Sequence, residues 1–186
     1  MGHPIMFDDA DPLLARLRRI CLALPDAAEK ISHGRPNWYT TTVFAAYGGK
    51  VKGDHSDPLL DRALLFLPDP EDLPALEQDE RIVVPAYVGV RGWRALPLDR
   101  CEQGSGPGDP GSVDWDEVAE LVESSYRQLA GARRVARLDA EQREAGRGER
   151  WEFCPRRSAP APGVRVFGHP GVGRVTARSA PRRRRR

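Results

Sequence analysis

HGRPNWYTTTVFAAYGGKVKG, residues 33–53, and RALLFLP, residues 62–68, are the stretches that decide the fold. Trp38 to Thr42 and Val43 to Tyr47 concentrate aromatic and β-branched side chains, which suit a pleated, half-buried surface. They predict two strands with a tight connection. Gly48-Gly49 supplies a turn or bulge, after which Lys50 and Lys52 share one face of the chain and Val51 takes the other. A polar loop over 54–61 leads into Arg62 to Leu67, a short and strongly apolar strand.

Working outward toward the N-terminus, Asp11 offers a helix cap and Pro12 suits the first helical position. Leu13, Leu17, Ile20, Cys21 and Leu24 then recur at helical spacing until Pro25 ends the helix. Cys21 falls on that apolar stripe and reads as a small buried hydrophobe, because no neighbour is present to stabilise a thiolate. Toward the C-terminus, PEDLPALEQDE (70–80) predicts a short acidic helix with Pro70 near its start. RIVVPAYVGVRGWRALPLD (81–99) supplies the remaining strands, with Pro85 at an edge or bulge position and Gly92 turning the chain before Trp93-Arg94-Ala95-Leu96. A Gly/Pro loop covers 101–113. Asp114 and Glu117 then open a last helix in the manner of a capping box, and Trp115, Val118, Val122, Tyr126 and Leu129, with Leu121 beside them, form its apolar face. Helix, antiparallel strands, helix is an α+β order.

The charge is unevenly distributed. Residues 1–140 hold 16 basic and 23 acidic side chains, a net −7, and residues 141–186 hold 13 arginines and 4 glutamates, a net +9, which together give the chain's +2. The last 46 residues contain no Leu, Ile or Met, include 11 Gly and Pro, and end in PRRRRR. Too little aliphatic surface is present there to offset an ordering entropy of roughly 1–2 kcal/mol per residue. The expected division is a folded domain over 1–140 and a disordered, Arg/Gly/Pro-rich tail over 141–186. Such a tail reads either as a basic arm for a polyanion or as an out-of-frame end of GC-rich coding sequence, the latter because 26 Arg accompany only 3 Lys. Cys21, Cys101 and Cys154 are scattered, which excludes a disulfide framework and a zinc-finger spacing. No apolar run is long enough to span a bilayer, and MGHPIMFDDADP lacks the apolar segment of a secretory signal. The expectation is a cytoplasmic protein without a membrane partner.

Four pieces together resemble the MmcQ/YjbR family of small bacterial proteins: LALPDAAEK (22–30), HGRPNWYTTTVFAAYGGK (33–50), AYVGVRGWRALPLD (86–99) and DWDEVAELVESSYRQLA (114–130). The resemblance spans about 10–138. It implies an antiparallel sheet in a double-wing arrangement, frataxin-like in shape, flanked by N- and C-terminal helices. Members are commonly labelled DNA-binding, a label resting largely on fold analogy. The loop GSGPGDPGSV (104–113) is longer than the family pattern, and the segment after Ala140 has no counterpart in it.

DNA is therefore the first partner to weigh. Arg35, Lys50, Lys52, Arg91 and Arg94 are the cations placed to contact phosphates, with Trp93 able to stack or wedge at a base step. The plainer reading makes Trp93 a core residue alternating with Ala95 and the two lysines guards of an edge strand. The net −7 of residues 1–140 also has the wrong sign for binding by counterion release. For catalysis, His33 is the candidate base, with Asp26 or Glu29 to orient it, but no set of nucleophile, base and orienter can be read from the spacing. GSGPGDPG before a helix suggests a phosphate cradle, yet Asp109, Asp114, Asp116 and Glu117 crowd it and the P-loop lysine is missing. The frataxin-like shape that the resemblance implies suggests iron on acidic ridges, for which Glu71, Asp72, Glu77, Asp79 and Glu80 are the cluster, without His or Cys at ligand spacing. The expected function is non-catalytic DNA binding through the strand wings, with no cofactor and no metal. The alternative is a small-molecule or protein interaction module without DNA affinity.

Overall fold

The computed structural model describes residues 3–99 and 113–149, so the Gly/Pro loop, Cys101, Cys154 and the expected tail from residue 150 onward lie outside the described residues. Helix α1, Pro12–Leu22, starts where its cap predicts: the Asp11 carboxylate accepts from the Leu13 N–H at 2.9 Å, and Pro12 takes the first turn. Leu13, Leu14, Leu17 and Cys21 form its buried stripe. The helix closes at Leu22, before Pro25 is reached.

Five antiparallel strands follow in simple order, β1 Ala28–Ser32, β2 Arg35–Tyr39, β3 Val43–Tyr47, β4 Ala63–Phe66 and β5 Arg94–Pro97. The fold is α+β, as expected. Strand β1 is absent from the sequence reading, and β2 begins before the expected Trp38, leaving Thr40–Thr42 as connection. The joint between β1 and β2 explains both differences. His33 and Gly34 take φ of 51° and 75°, the two left-handed residues of a tight hairpin, and set Ser32 opposite Arg35. Pairing then shifts from Trp38 opposite Ala45 to Tyr39 opposite Val43. Phe44 is the extra residue of that bulge, and its ring meets Tyr126 edge-on at 5.3 Å.

The run RIVVP forms no strand. Val83 exchanges both backbone bonds with Ala95, at 2.9 Å each, and Val51 bridges Pro85, but the proline has no N–H with which to extend a ladder. The acidic helix shrinks to one turn, α2 Leu73–Leu76. In α3, Trp115–Leu129, Asp114 caps the N–H groups of Asp116 and Glu117 at 3.1 Å, while the Glu117 carboxylate turns to Arg81 rather than back to the cap, so only half the capping box forms. Gly131, at φ 83°, separates α3 from α4, Ala132–Glu149. The sequence reading has no counterpart to α4, which continues past position 140. It is docked by Leu138 in the core and by Arg134 and Arg137 on Asp26. No helix among the described residues is long and apolar enough to cross a membrane.

Two apolar clusters sandwich the sheet. Trp38, Phe44, Tyr47, Leu64, Phe66 and Leu96 meet α1 and α3 on one side. Ala46, Ala63, Leu65 and Ala95 face the other side, where two loops, each with one short 3-10 turn, cover them in place of α-helices.

Candidate functional site

Those two loops, 48–60 and 82–93, carry most of the residues singled out for binding. They are tied together where the Ala86 N–H donates to the Lys50 carbonyl at 2.7 Å. Val51, Leu59, Val83, Val88 and Trp93 point inward and pack on the second cluster. Lys52, His55, Val84, Tyr87, Val90 and Arg91 are exposed on the outer side.

The six expected contact residues divide into two groups. Arg35 is buried at the start of β2 and donates to the Asp61 carboxylate at 2.6 Å and to the Asp61 carbonyl at 3.2 Å. Gly48 makes room for it: a Cβ there would lie 1.9 Å from the Arg35 Nη1, and φ is 76°. Arg94 is buried as well, its guanidinium bonded to the Glu77 carboxylate and to the carbonyls of Gly92 and Trp93. Both arginines act as internal struts, and their charges are matched within the fold. Lys50 is half-buried and shares Asp61 at 3.4 Å. Lys52 and Arg91 project to solvent, outside the ion pairs formed among the described residues. Trp93 is half-buried against the second cluster, closer to the core role than to a free wedge.

Sequence reasoning did not single out Tyr87. The residue is 72% exposed and its backbone sits at φ 62°. Its hydroxyl pairs with His55 Nδ1 at 3.2 Å, with the ring centroids 5.1 Å apart. Nothing in the local sequence announces a left-handed tyrosine, and the pairing crosses 32 residues of chain.

The other candidates are placed as follows. His33 occupies the hairpin tip, its Nδ1 3.0 Å from the Ser32 hydroxyl. Neither proposed orienter reaches it: Glu29 receives Arg18 at 2.7 Å and the Trp38 indole at 3.1 Å, and Asp26 holds α4. Burial pushes the Cys21 thiol well above the ordinary range, as fits a packing residue. In the acidic segment Glu77 pairs with Arg94, and Asp79 pairs with Arg81, whose guanidinium holds the Asp79 carboxyl below its usual value. Asp72 instead borders an open cleft of about 370 Å³ with Asp69, Glu120, Glu123 and Arg127. Among the described residues no three His, Cys, Asp or Glu side chains converge as metal ligands.

Comparison with known proteins places this arrangement in a family. The YjbR family model matches residues 22–128, from the last residue of α1 almost to the end of α3, and the chain belongs to the YjbR family. The matched span contains both loops and all six expected contact residues. No curated protein and no solved structure matches the chain.

Proposed function

We propose that this member of the YjbR family is a cytoplasmic, non-catalytic nucleic-acid-binding protein whose contact face is the outer side of loops 48–60 and 82–93. Lys52 and Arg91 reach phosphates directly, Lys50 assists from its shared position on Asp61, and Trp93 anchors the face from below. The observation that carries this reading is the contrast between engaged and free charge. Arg35 and Arg94 are held inside by carboxylates, whereas Lys52 and Arg91 stand in solvent on a face fixed by backbone bonds. The folded part through α4 forms the working domain in this proposal, and the arginines that follow it in the sequence add sequence-independent, salt-sensitive attraction.

The test is fluorescence anisotropy with labelled duplex and single-stranded DNA across a salt series. It uses the full chain with Arg182 to Arg186 replaced by serine, so that the terminal run does not mask the loops. Lys52→Ala with Arg91→Ala should lower affinity and reduce the salt slope by up to about 0.9 per lost phosphate contact on duplex. An unchanged slope removes these residues from the interface. A second reading, a protein or small-molecule interaction module, is favoured by the exposed Val84, Tyr87 and Val90. It prevails if neither nucleic acid binds and a small-molecule panel raises the thermal midpoint, as any ligand of the native state alone must.

A further inference from the structure

The most costly feature of the outer face is Tyr87. A bulky side chain at φ 62° is a genuine backbone outlier, and here the strained position belongs to an aromatic residue that is 72% exposed. Burial gives nothing back for that strain. The surrounding chain nevertheless enforces it. Ala86 N–H donates to the Lys50 carbonyl and Val88 N–H to the Ala86 carbonyl, both at 2.7 Å, and Gly89 N–H reaches the Pro85 carbonyl at 3.2 Å. Gly89 packs so closely that a Cβ would lie 2.6 Å from Val84 Cγ1. His55 lies against the ring, with its Nδ1 3.2 Å from the hydroxyl and an inclined ring-to-ring approach.

The charges around this ring are nearly balanced, and hydrogen bonds from neutral groups leave Asp54 and Asp57 charged. Asp54 accepts from the Ser56 N–H and hydroxyl, Asp57 caps the turn at Leu59, and Asp61 holds Arg35 and Lys50. Lys52 and Arg91 are the exposed cations on this face. Two available cations release few counterions, so a polyanion gains little affinity here from charge alone. An exposed ring held out by its backbone supplies a different source of affinity, the stacking of a base, and it is indifferent to sequence because every base has a π-face. Duplex bases are already stacked on one another; unpaired ones are not.

We propose that Tyr87, flanked by His55, is a stacking platform for one unpaired base of a single-stranded nucleic acid, with Lys52 and Arg91 holding phosphates beside it. This inference rests on the nucleic-acid reading above and narrows its ligand from duplex to single strand. The test compares a labelled oligothymidine, an abasic strand of equal length and a duplex, on the full chain with Arg182 to Arg186 replaced by serine. Oligothymidine binds best, and its advantage over the abasic strand measures stacking. Tyr87→Asn keeps a residue tolerant of the left-handed region and removes the ring. It should erase that advantage, a loss of about five- to hundredfold. Tyr87→Phe loses only the bond to His55 and retains most of the advantage. Equal binding of abasic strand and oligothymidine by the parent protein, or an advantage that survives Tyr87→Asn, overturns the platform. If Lys52→Ala with Arg91→Ala still weakens duplex binding in that case, the broader reading stands. If no nucleic acid binds at all, both fall.

Discussion

Asp11 joins three elements through one carboxylate. It caps α1 at the Leu13 N–H, accepts the Tyr47 hydroxyl from β3 at 2.7 Å, and receives Arg62, at the entry to β4, through Nε and Nη2 at 2.7 Å each. Burial alone would push this carboxyl upward, but Arg62, Tyr47 and the Leu13 amide together outweigh it and leave its pKa below the ordinary value. The Tyr47 hydroxyl is driven the other way, by burial and then by the carboxylate that it serves. Asp11→Ala removes the cap and strands the Tyr47 hydroxyl, so it should cost about 3 kcal/mol in urea unfolding at neutral pH. The pH dependence follows from the two directions. A depressed carboxyl gives stability that is complete above the unfolded value of about 4 and is lost as pH falls through the folded one. A raised tyrosine gives stability that is complete below about 10 and is lost as pH rises toward its folded value. Stability should therefore decline at both ends, and Asp11→Asn should flatten the acid limb and, because the carboxylate is part of what raises Tyr47, also soften the alkaline one. An acid limb identical in parent and variant would show that Asp11 titrates normally in the fold.

Elements in this protein are secured by single polar groups at their junctions. The buried Ser125 hydroxyl of α3 donates to the Phe44 carbonyl at the bulge of β3 and accepts the Leu67 N–H at the end of β4, at 2.9 Å. Ser125→Ala leaves both backbone groups without their partner and should lower stability by about 1–3 kcal/mol, with an unchanged dependence on denaturant. A midpoint equal to the parent's would mean that the sheet does not need the stitch. At the β1–β2 hairpin, Gly34→Ala forces a side chain onto φ 75° and places its Cβ 2.0 Å from the Pro4 carbonyl oxygen. It should cost about 1–2 kcal/mol and free residues 3–7 for proteolysis, since the Met6 N–H bond to the Gly34 carbonyl is lost with the turn. Equal protease resistance in parent and variant would count against that anchoring. These junctions also explain what the sequence made legible. Helices α1 and α3, β3 and β4 carry their caps and apolar patterns in consecutive residues, and they form where expected. AEKIS, the β1 sequence, carries no alternation of apolar residues. It is held instead through Glu29, which links Arg18 to the Trp38 indole across the strand pair. RIVVP has the opposite character, strand-like in composition but interrupted by Pro85. The candidate site was partly legible for the same reason. A run of residues reveals a cation, but not a carboxylate 26 residues away that neutralises Arg35, nor one 17 residues away that holds Arg94.

Across the whole molecule the two sides of the sheet differ in depth. On the helical side Leu13, Leu17, Trp38, Phe44, Val118, Val122 and Tyr126 are buried in one continuous cluster. On the other side a small group around Leu60, Leu65 and Ala95 lies beneath loops that are bridged to the sheet at Val83–Ala95 and to each other at Val51–Pro85. Stability distributed in this way should divide into a global unit, the sheet with α1 and α3, and a shallower unit, the two loops that form the proposed contact face. Binding surfaces belong to the shallower kind when a rigid scaffold positions them. Native-state hydrogen exchange at rising urea checks the division. The Val83 and Ala86 amides, bonded to Ala95 and Lys50, should exchange through an opening smaller than global unfolding, while amides in β3 and β4 follow the global transition. Leu17→Ala should lower protection everywhere by about 2–5 kcal/mol, because it leaves a cavity in the shared core. Leu60→Ala, at an equally buried position on the thin side, should lower protection at Val83 and Ala86 and leave the strand centres almost unchanged. Should Leu60→Ala reduce protection equally on both sides, the loops would be part of the global unit, and their face could not rearrange around a ligand without unfolding the domain.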